Sequence, residues 1–526
     1  MRGTLTQRHC AAARPQPATA APRRPPACAA HTPISWRIAS LGILLGGALV
    51  GRTVGRSPLV WGAVAQLPVI VAAGAIRAGR ARRHGQSVPG AQPGSMGSPD
   101  VTVLISARDE ANVVAEVIGD LACQDYRDAQ GVPRFEVIVI DDRSTDGTGA
   151  AVRREADALG IGSITRIVRR DNLDLTDGKG AALAAMPPEL CREAIVVLDA
   201  DARLAPSFLR LAASHLTDRM PAVQARRRVL GATARRLARL QADEQVVDGT
   251  VQARRWAAGG CSEFRGNGMV IRRDALIDAG GWQPGPLTED LDLSSRLAAT
   301  SGRSVGWPLD LEVWESPVER LRDLWAQRLR WAEGSIRRYL EHGPSVMRSG
   351  VLSRSARLDF AIYGGQLLAP PFTVGLVAGA MVDRRAAGPA IILGASGIAV
   401  LALSYDALHA ETSPTGDPLD RRTRTSRALA VAAFESLWIP VVPVALWRLA
   451  TRRGPLRFAK MPHRSLPFTD LNERLRWPHG VRVNDGSPPT QDRLWRPDGG
   501  PDRWVEASGL PRDEAEARAA QGASGS

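Results

Sequence analysis

From Val101 to about Gly306, short runs of apolar, β-branched residues alternate with stretches whose apolar positions recur every three or four residues. Val101-Thr-Val-Leu-Ile-Ser106, Phe135-Glu-Val-Ile-Val-Ile140 and Ala194-Ile-Val-Val-Leu198 read as strands. After the first, Val113, Val117 and Leu121 share one helical face. After the second, Ser144 to Thr148 carries residues suited to opening a helix. Strands alternating with helices in this way predict a doubly wound, mostly parallel α/β sheet.

Longer apolar stretches flank that region. Ile38 to Val50 and Leu59 to Ile76 precede it and predict a helical hairpin in the membrane, with Trp36, Arg37 and Arg52 at the ends of the first segment. A cleaved leader is the rival for that segment, weakened by the long tail before it and the second apolar stretch after it. Phe360 to Val382, Pro389 to Tyr405 and Ala428 to Leu446 follow, each near the ~20 residues a bilayer helix needs. Pro370-Pro371 interrupts the first of these, which is expected either to span or to lie at the interface. The organisation expected is a disordered tail (1–33), a membrane hairpin (34–84), a Gly/Pro/Ser-rich linker (85–99) and a catalytic domain (100–345). An interface helix with transmembrane helices (346–450) and a mostly irregular tail (451–526) complete it.

The formal charge of +14 changes the picture through its placement. Arg77, Arg80, Arg82 and Arg83, then Arg421, Arg422, Arg424 and Arg427, then Arg448, Arg452 and Arg453 border apolar stretches. That is the pattern of juxtamembrane charge, and no nucleic-acid partner is expected. The expected location is the cell membrane, multi-pass, with the catalytic domain in the cytosol. Five scattered cysteines without metal or disulfide spacing fit a reducing compartment. Glu435 stands inside the last apolar stretch, where a carboxylate is either functional or turned toward protein.

Acidic clusters supply the candidate chemistry. Asp141-Asp142 and Asp199-Ala200-Asp201 end two of the strands, where open α/β sheets bind ligands. The first pair can accept hydrogen bonds from a base and a ribose hydroxyl, or form a solvated turn with Asp146 and Gly147. The second can approach one Mg2+ or Mn2+ and leave coordination sites for diphosphate oxygens. Asp109 and Glu110, closing the first strand, can line the same pocket. Lys179 in Thr176-Asp-Gly-Lys-Gly180 suits a phosphate or nucleotide contact, or is a solvated charge. In Thr288-Glu289-Asp290, Thr288 can cap a helix whose first turn favours acids; the functional alternative makes Asp290 a general base. On the following helical stretch Gln327, Arg330 and Trp331 share one face, which can hold a diphosphate and stack on a sugar or lie on a membrane.

With Phe264-Arg-Gly-Asn-Gly268 these make seven strings, from Ile105-Ser-Ala-Arg-Asp-Glu110 to Gln327-Arg-Leu-Arg-Trp331, that stand in one order over about residues 100–335. In that order they resemble the family 2 glycosyltransferases, in particular the membrane-embedded cellulose synthase and hyaluronan synthase-like branch. The resemblance implies a GT-A fold, Rossmann-like with a mostly parallel sheet and flanking transmembrane helices. It implies UDP-sugar binding by Asp141 or Asp142, metal-diphosphate binding at Asp199 and Asp201, and Asp290 as catalytic base beside Glu289. Gln327, Arg330 and Trp331 would lie at the donor and acceptor terminus, and Phe264, Gly266, Asn267 and Gly268 near a glycan or lipid acceptor. The implied chemistry is inverting. Asp109 stands where the family often has Asn, and the expected spans hold few aromatic residues for a polysaccharide to stack on. A membrane scaffold that binds a sugar nucleotide without turnover is the reading from another class.

Overall fold

A computed structural model of the chain describes residues 32–54, 57–85, 98–171, 178–232, 235–383, 387–412 and 417–452. It also describes two short antiparallel strands, Arg493–Trp495 and Trp504–Glu506. The expected N-terminal tail, most of the linker and most of the C-terminal tail lie outside the described residues, as do Thr176, Asp177, Cys10 and Cys28.

Eight strands build the central region: β1 (Val101–Ala107), β2 (Phe135–Asp142), β3 (Thr165–Arg170), β4 (Ala194–Asp199), β5 (Ala222–Gln224), β6 (Arg226–Val229), β7 (Met269–Arg272) and β8 (Glu312–Glu315). Six form one sheet in the order β3-β2-β1-β4-β7-β5. β1 to β4 run parallel, and β7 is antiparallel to both its neighbours. β6 and β8 make a separate parallel pair. This is the doubly wound α/β architecture expected of a GT-A domain.

Alternation along the strands sends side chains to two cores. Val101, Val103, Ile105, Val137, Val139, Val196 and Leu198 pack against helices Val114–Ala122, Thr148–Ala158 and Phe208–His215 on one face. Leu104, Ile138, Ile140, Ile195 and Val197 pack with Leu183, Met269, Leu293 and Trp307 on the other. Burial on both faces explains why β1, β2 and β4 read as nearly unbroken apolar runs.

Register aligns the strand ends: Ala107 lies beside Asp141, and Ser106 beside Asp199. Because strand order reverses between β1 and β4, a crevice opens there at the carboxyl edge. Two non-glycine residues at this rim, Asp109 (φ +49°) and Arg143 (φ +62°), adopt the left-handed conformation that side chains ordinarily avoid.

Among the described residues, three helical stretches are long and apolar enough to cross a membrane: Ile34–Val54, Ala387–Ala410 and Arg421–Thr451. A fourth would be Arg354–Leu367 with Ala369–Val382, which bend by 43° at their break, and Gly62–Ile76 is a shorter apolar helix. The stretch expected to begin a span at Phe360 is therefore divided. Its first part is a helix, Arg354–Gly364, whose Phe360 is buried with Cys261 and Val346. The helices Ile34–Val54 and Ala369–Asp383 meet backbone to backbone. A Cβ on Gly51 would lie 2.1 Å from the Phe372 carbonyl oxygen, and one on Gly375 would lie 1.8 Å from that of Ala48. Small residues at such crossings allow the close approach on which apolar helices in lipid depend.

Two of the arginines that read as juxtamembrane charge also tie these helices to the sheet domain. Arg427 pairs with Asp243, and Arg452 donates to Glu333 at 2.7 Å. Glu411 receives both arms of Arg228 at 2.8 Å.

Candidate active site

The β2 rim is built from ion pairs and turns. Asp141 is buried; its Oδ1 accepts from the Ser144 amide at 3.0 Å and its Oδ2 from Arg169 at 3.1 Å. Adjacent residues of a strand point to opposite faces, so Asp142 turns away and pairs with Arg143 at 2.9 Å and Arg170 at 3.3 Å. The loops after β1 and β2 then interlock. Asp109 Oδ1 accepts from the Thr145 amide at 2.7 Å, the Asp109 amide donates to Ser144 Oγ, and the Glu110 amide donates to Thr148 Oγ1 at 2.8 Å. These four acids thus sit together at the rim, several of their oxygens already satisfied by the protein.

Across β1 the arrangement differs. The Asp199 side chain is 37% exposed, and Lys179 reaches it at 2.5 Å. Lys179 also donates to the Gly266 carbonyl at 2.9 Å and lies 3.9 Å from Glu289. Because β7 runs antiparallel to β4, the loop before it, Phe264 to Gly268, is delivered to the end of β4. The Gly268 amide donates to Val197 and the Asp199 amide to Asn267 Oδ1 at 3.1 Å. Gly266 has φ +83°, and a Cβ there would lie 3.5 Å from Asp290 Oδ2. Phe264 does not face the crevice; it is buried in the apolar core.

Asp290 and Glu289 begin the helix Glu289–Ser301. Thr288 occupies the N-cap position yet makes no capping hydrogen bond. It packs against Gly334 instead, where a Cβ would come within 2.6 Å of its Oγ1. Capping by Thr288 therefore does not account for this string. Burial raises the Glu289 carboxyl to about 7, against the pull of Lys179 and with Asp290 adding to the rise. Burial also raises Asp290, opposed by its hydrogen bond from the Leu291 amide and by the charges of Arg265, Lys179 and Arg227. For Lys179, burial works against the charged form, but Asp199 and Glu289 outweigh it and hold the ammonium above its ordinary value.

Asp201 accepts from the Ser316 amide at 3.2 Å. Among the described residues no group of three or more His, Cys, Asp or Glu side chains could hold a metal ion. The pair Asp199 and Asp201 offers hard oxygen donors, and other oxygens would have to complete a coordination shell.

Within Gln327 to Trp331 on the helix Leu321–Arg348, Arg328 rather than Arg330 is the buried arginine. It bonds Gln327 Oε1 at 2.6 Å and pairs with Glu244, with its guanidinium 4.2 Å from the Trp331 ring centre. Arg227 covers the same ring at 5.4 Å and forks onto Glu315 at 2.8 and 2.6 Å. Arg330 is partly buried and makes no hydrogen bond or ion pair among the described residues. Sequence reading missed Arg227, Glu315 and Arg328; the run Arg226-Arg227-Arg228 was the available signal. Glu435 ends the helix Arg421–Glu435, within electrostatic reach of Glu244, Asp248 and Arg328, and so faces protein.

Residues 99–334 match a family described as glycosyltransferase like family 2. A beta-monoglucosyldiacylglycerol synthase of Nostoc sp. is 34% identical over 264 residues, 49% of this chain and 53% of that protein. The match thus spans about half the length of that relative. A synthase of the same description from Synechocystis sp. is 28% identical over 373 residues, 69% of this chain and 75% of the relative. A poly-beta-1,6-N-acetyl-D-glucosamine synthase of Staphylococcus aureus is 23% identical over 262 residues, 47% of this chain and 58% of that protein. Among solved structures, a mannosyltransferase from Pyrobaculum calidifontis in complex with GDP-Man and Mn2+ is 21% identical. It covers 77% of this chain and 99% of its own, at a TM-score of 0.47, a likeness too distant to bear on donor or metal.

Proposed function

We propose, from the match of residues 99–334 to glycosyltransferase like family 2, that the chain is an inverting, membrane-embedded sugar transferase. It moves a sugar from a nucleoside diphosphate donor, a UDP-sugar in the first instance, to a hydroxyl of a lipid acceptor. Its catalytic domain faces the cytosol. One observation carries this reading: a single lysine, Lys179, touches Asp199 and Gly266 while Asp290 and Glu289 crowd the same space. Burial pushes up the carboxyls of Glu289 and Asp290, so their charged forms are disfavoured in a way that a cationic ligand complex would relieve.

In the proposed reaction an acceptor oxygen attacks the anomeric carbon from the face opposite the diphosphate. The acceptor O–H proton passes to Asp290, the bond to the diphosphate oxygen breaks, and the nucleoside diphosphate leaves. Burial that raises Asp290 makes it a stronger base than an exposed aspartate. Glu289 holds Lys179 and tunes its neighbour. Arg330, without a hydrogen bond or ion pair among the described residues, is assigned to the diphosphate, with Gln327 and Trp331 beside it. Asp141, Asp142, Asp109 and Glu110 shape the nucleoside end, and Gly266, Asn267 and Gly268 form the acceptor side, with Phe264 supporting them from the core. Asp199 and Asp201 would hold Mg2+ or Mn2+ together with donor oxygens. When bound, the ion would offset charge on the leaving diphosphate.

A lipid acceptor is supported by relatives named as beta-monoglucosyldiacylglycerol synthases. The test uses full-length protein in nanodiscs, a panel of UDP- and GDP-sugars, and release of the nucleoside diphosphate with and without divalent metal. One glycolipid product that disappears in Asp290→Asn supports the reading. A ladder of long products would point to a polysaccharide synthase, and no turnover by folded protein with any donor would overturn the transferase altogether.

A further inference from the structure

The helix Arg354–Gly364 lies beyond the segment that matches the family and has no part in the proposed chemistry, yet it grips the loop that does. Asp359 accepts from the Cys261 amide at 2.8 Å and from Arg255 at 2.9 Å. A Cβ on Gly260 would come within 2.7 Å of the Asp359 carboxyl carbon, so the loop enters pressed against this helix. One turn further along, Tyr363 Oη accepts from Arg265 at 2.9 Å and from Gln252 at 3.0 Å. With Arg255 stacked 3.6 Å from its ring centre, Tyr363 is held on its face as well as at its tip.

Arg265 is the hub. It forks onto Asp248 at 2.9 and 3.0 Å and reaches Glu263 at 3.1 Å. Three arginines, Arg338, Arg255 and Arg265, surround the buried Glu263 and hold its carboxyl down at about 2 although burial alone would raise it. The next residue is Gly266, whose carbonyl takes the Lys179 hydrogen bond and whose backbone abuts Asp290. Then comes Asn267, which takes the Asp199 amide. A displacement of Arg265 is therefore carried by the chain itself into the lysine, the base and the strand-end acid.

We propose that Tyr363 is a positioning residue for sugar transfer: its hydroxyl fixes Arg265, and through Arg265 the loop that meets Lys179, Asp290 and Asp199. The inference rests on the reading of the crevice as a transferase site. It adds that catalytic geometry is set in part by a helix leading into the membrane segments, so that the family-matched domain is not self-sufficient. The ring alone would fill the space under Arg255; only the hydroxyl satisfies Arg265 and Gln252 together.

Tyr363→Phe keeps the ring and removes that acceptor. In full-length protein in nanodiscs, the expected result is a fall in kcat of about tenfold, since small misplacements of reacting groups are costly. Donor KM stays within about twofold, thermal stability is nearly unchanged, and amide hydrogen exchange quickens in residues 261–268. Asp359→Asn, which keeps an acceptor for the Cys261 amide, gives the same split more weakly. Leu358→Ala, exposed on the same helix, changes nothing. Wild-type kcat and exchange in Tyr363→Phe would overturn the proposal, as would a loss of kcat, donor affinity and thermal stability together. If the wild type turned over no donor, the transferase reading would fail first, and the exchange of residues 261–268 would still decide whether the clamp exists.

Discussion

The two sides of the crevice hold comparable numbers of acids and treat them in opposite ways. At the end of β2, Asp141 and Asp142 face Arg169, Arg143 and Arg170, so the negative charge is balanced inside the protein. Across β1, Lys179 pairs with Asp199 and Glu289. Asp290 feels Arg265, Lys179 and Arg227 without an ion pair to any of them among the described residues, and burial pushes the carboxyls of Glu289 and Asp290 up. A balanced rim can shape a binding surface without changing its charge when ligand arrives. An unbalanced one stores unfavourable electrostatics that a ligand or a proton can relieve, and this is where proton transfer is best placed.

That contrast ranks the expected effects of substitution. Asp290→Asn should cut kcat by about a thousandfold, within the range for loss of a general base, with donor affinity kept; this is read by steady-state release of nucleoside diphosphate. Lys179→Ala comes next, at about a hundredfold. It should also move the acid limb of the pH–rate profile to higher pH, because Lys179 now lowers both Glu289 and Asp290. Arg330→Ala should raise donor KM about tenfold, consistent with loss of one charge-assisted contact. The smallest kinetic effect, about threefold, belongs to Asp142→Asn, whose cost should appear in thermal stability because it removes the negative charge paired with the buried Arg170. If Asp142→Asn were as inactive as Asp290→Asn while remaining folded, the distinction between the two sides would collapse.

Protonation sharpens the same point without substrate. A carboxyl raised on folding stabilises the protein most when protonated, so the contribution of Glu289 is fully present below about pH 4.5 and lost as pH rises through about 7. Glu289→Gln should flatten that decline in the ligand-free protein, measured as thermal midpoint against pH. The full span corresponds to something on the order of 3 kcal/mol.

What could be read from the chain follows the range of the interactions involved. β1, β2 and β4 announced themselves because strands buried on both faces need continuous apolar runs, and Asp141-Asp142 and Asp199 followed at the ends of β2 and β4. Which acids would be neutralised was hidden, since Arg169 and Arg170 belong to another strand brought alongside by register. The helix Leu321–Arg348 was equally ambiguous: periodicity grouped Gln327, Arg330 and Trp331, but only folding brought Glu244 to Arg328 and left Arg330 open. Thr288 looked like a cap because its local sequence suits one; its actual neighbour, Gly334, lies on a different helix. At the start of the stretch, Phe360 packs with Cys261 and Val346 of the domain, a contact that its apolar setting in the chain did not reveal.

The glycine-lined crossing of Ile34–Val54 with Ala369–Asp383 bears on how such a protein would be made. In the proposed membrane protein the first of these helices emerges from the ribosome before the catalytic domain exists, and its partner only after the domain is complete. The seam cannot close until synthesis has passed both. The earlier helix must wait in the bilayer with Gly47 and Gly51 unmatched, and the domain folds while its membrane frame is still open. Enlarging either glycine should then show itself first as protein caught by quality control during biogenesis, ahead of any change in the turnover of molecules that mature.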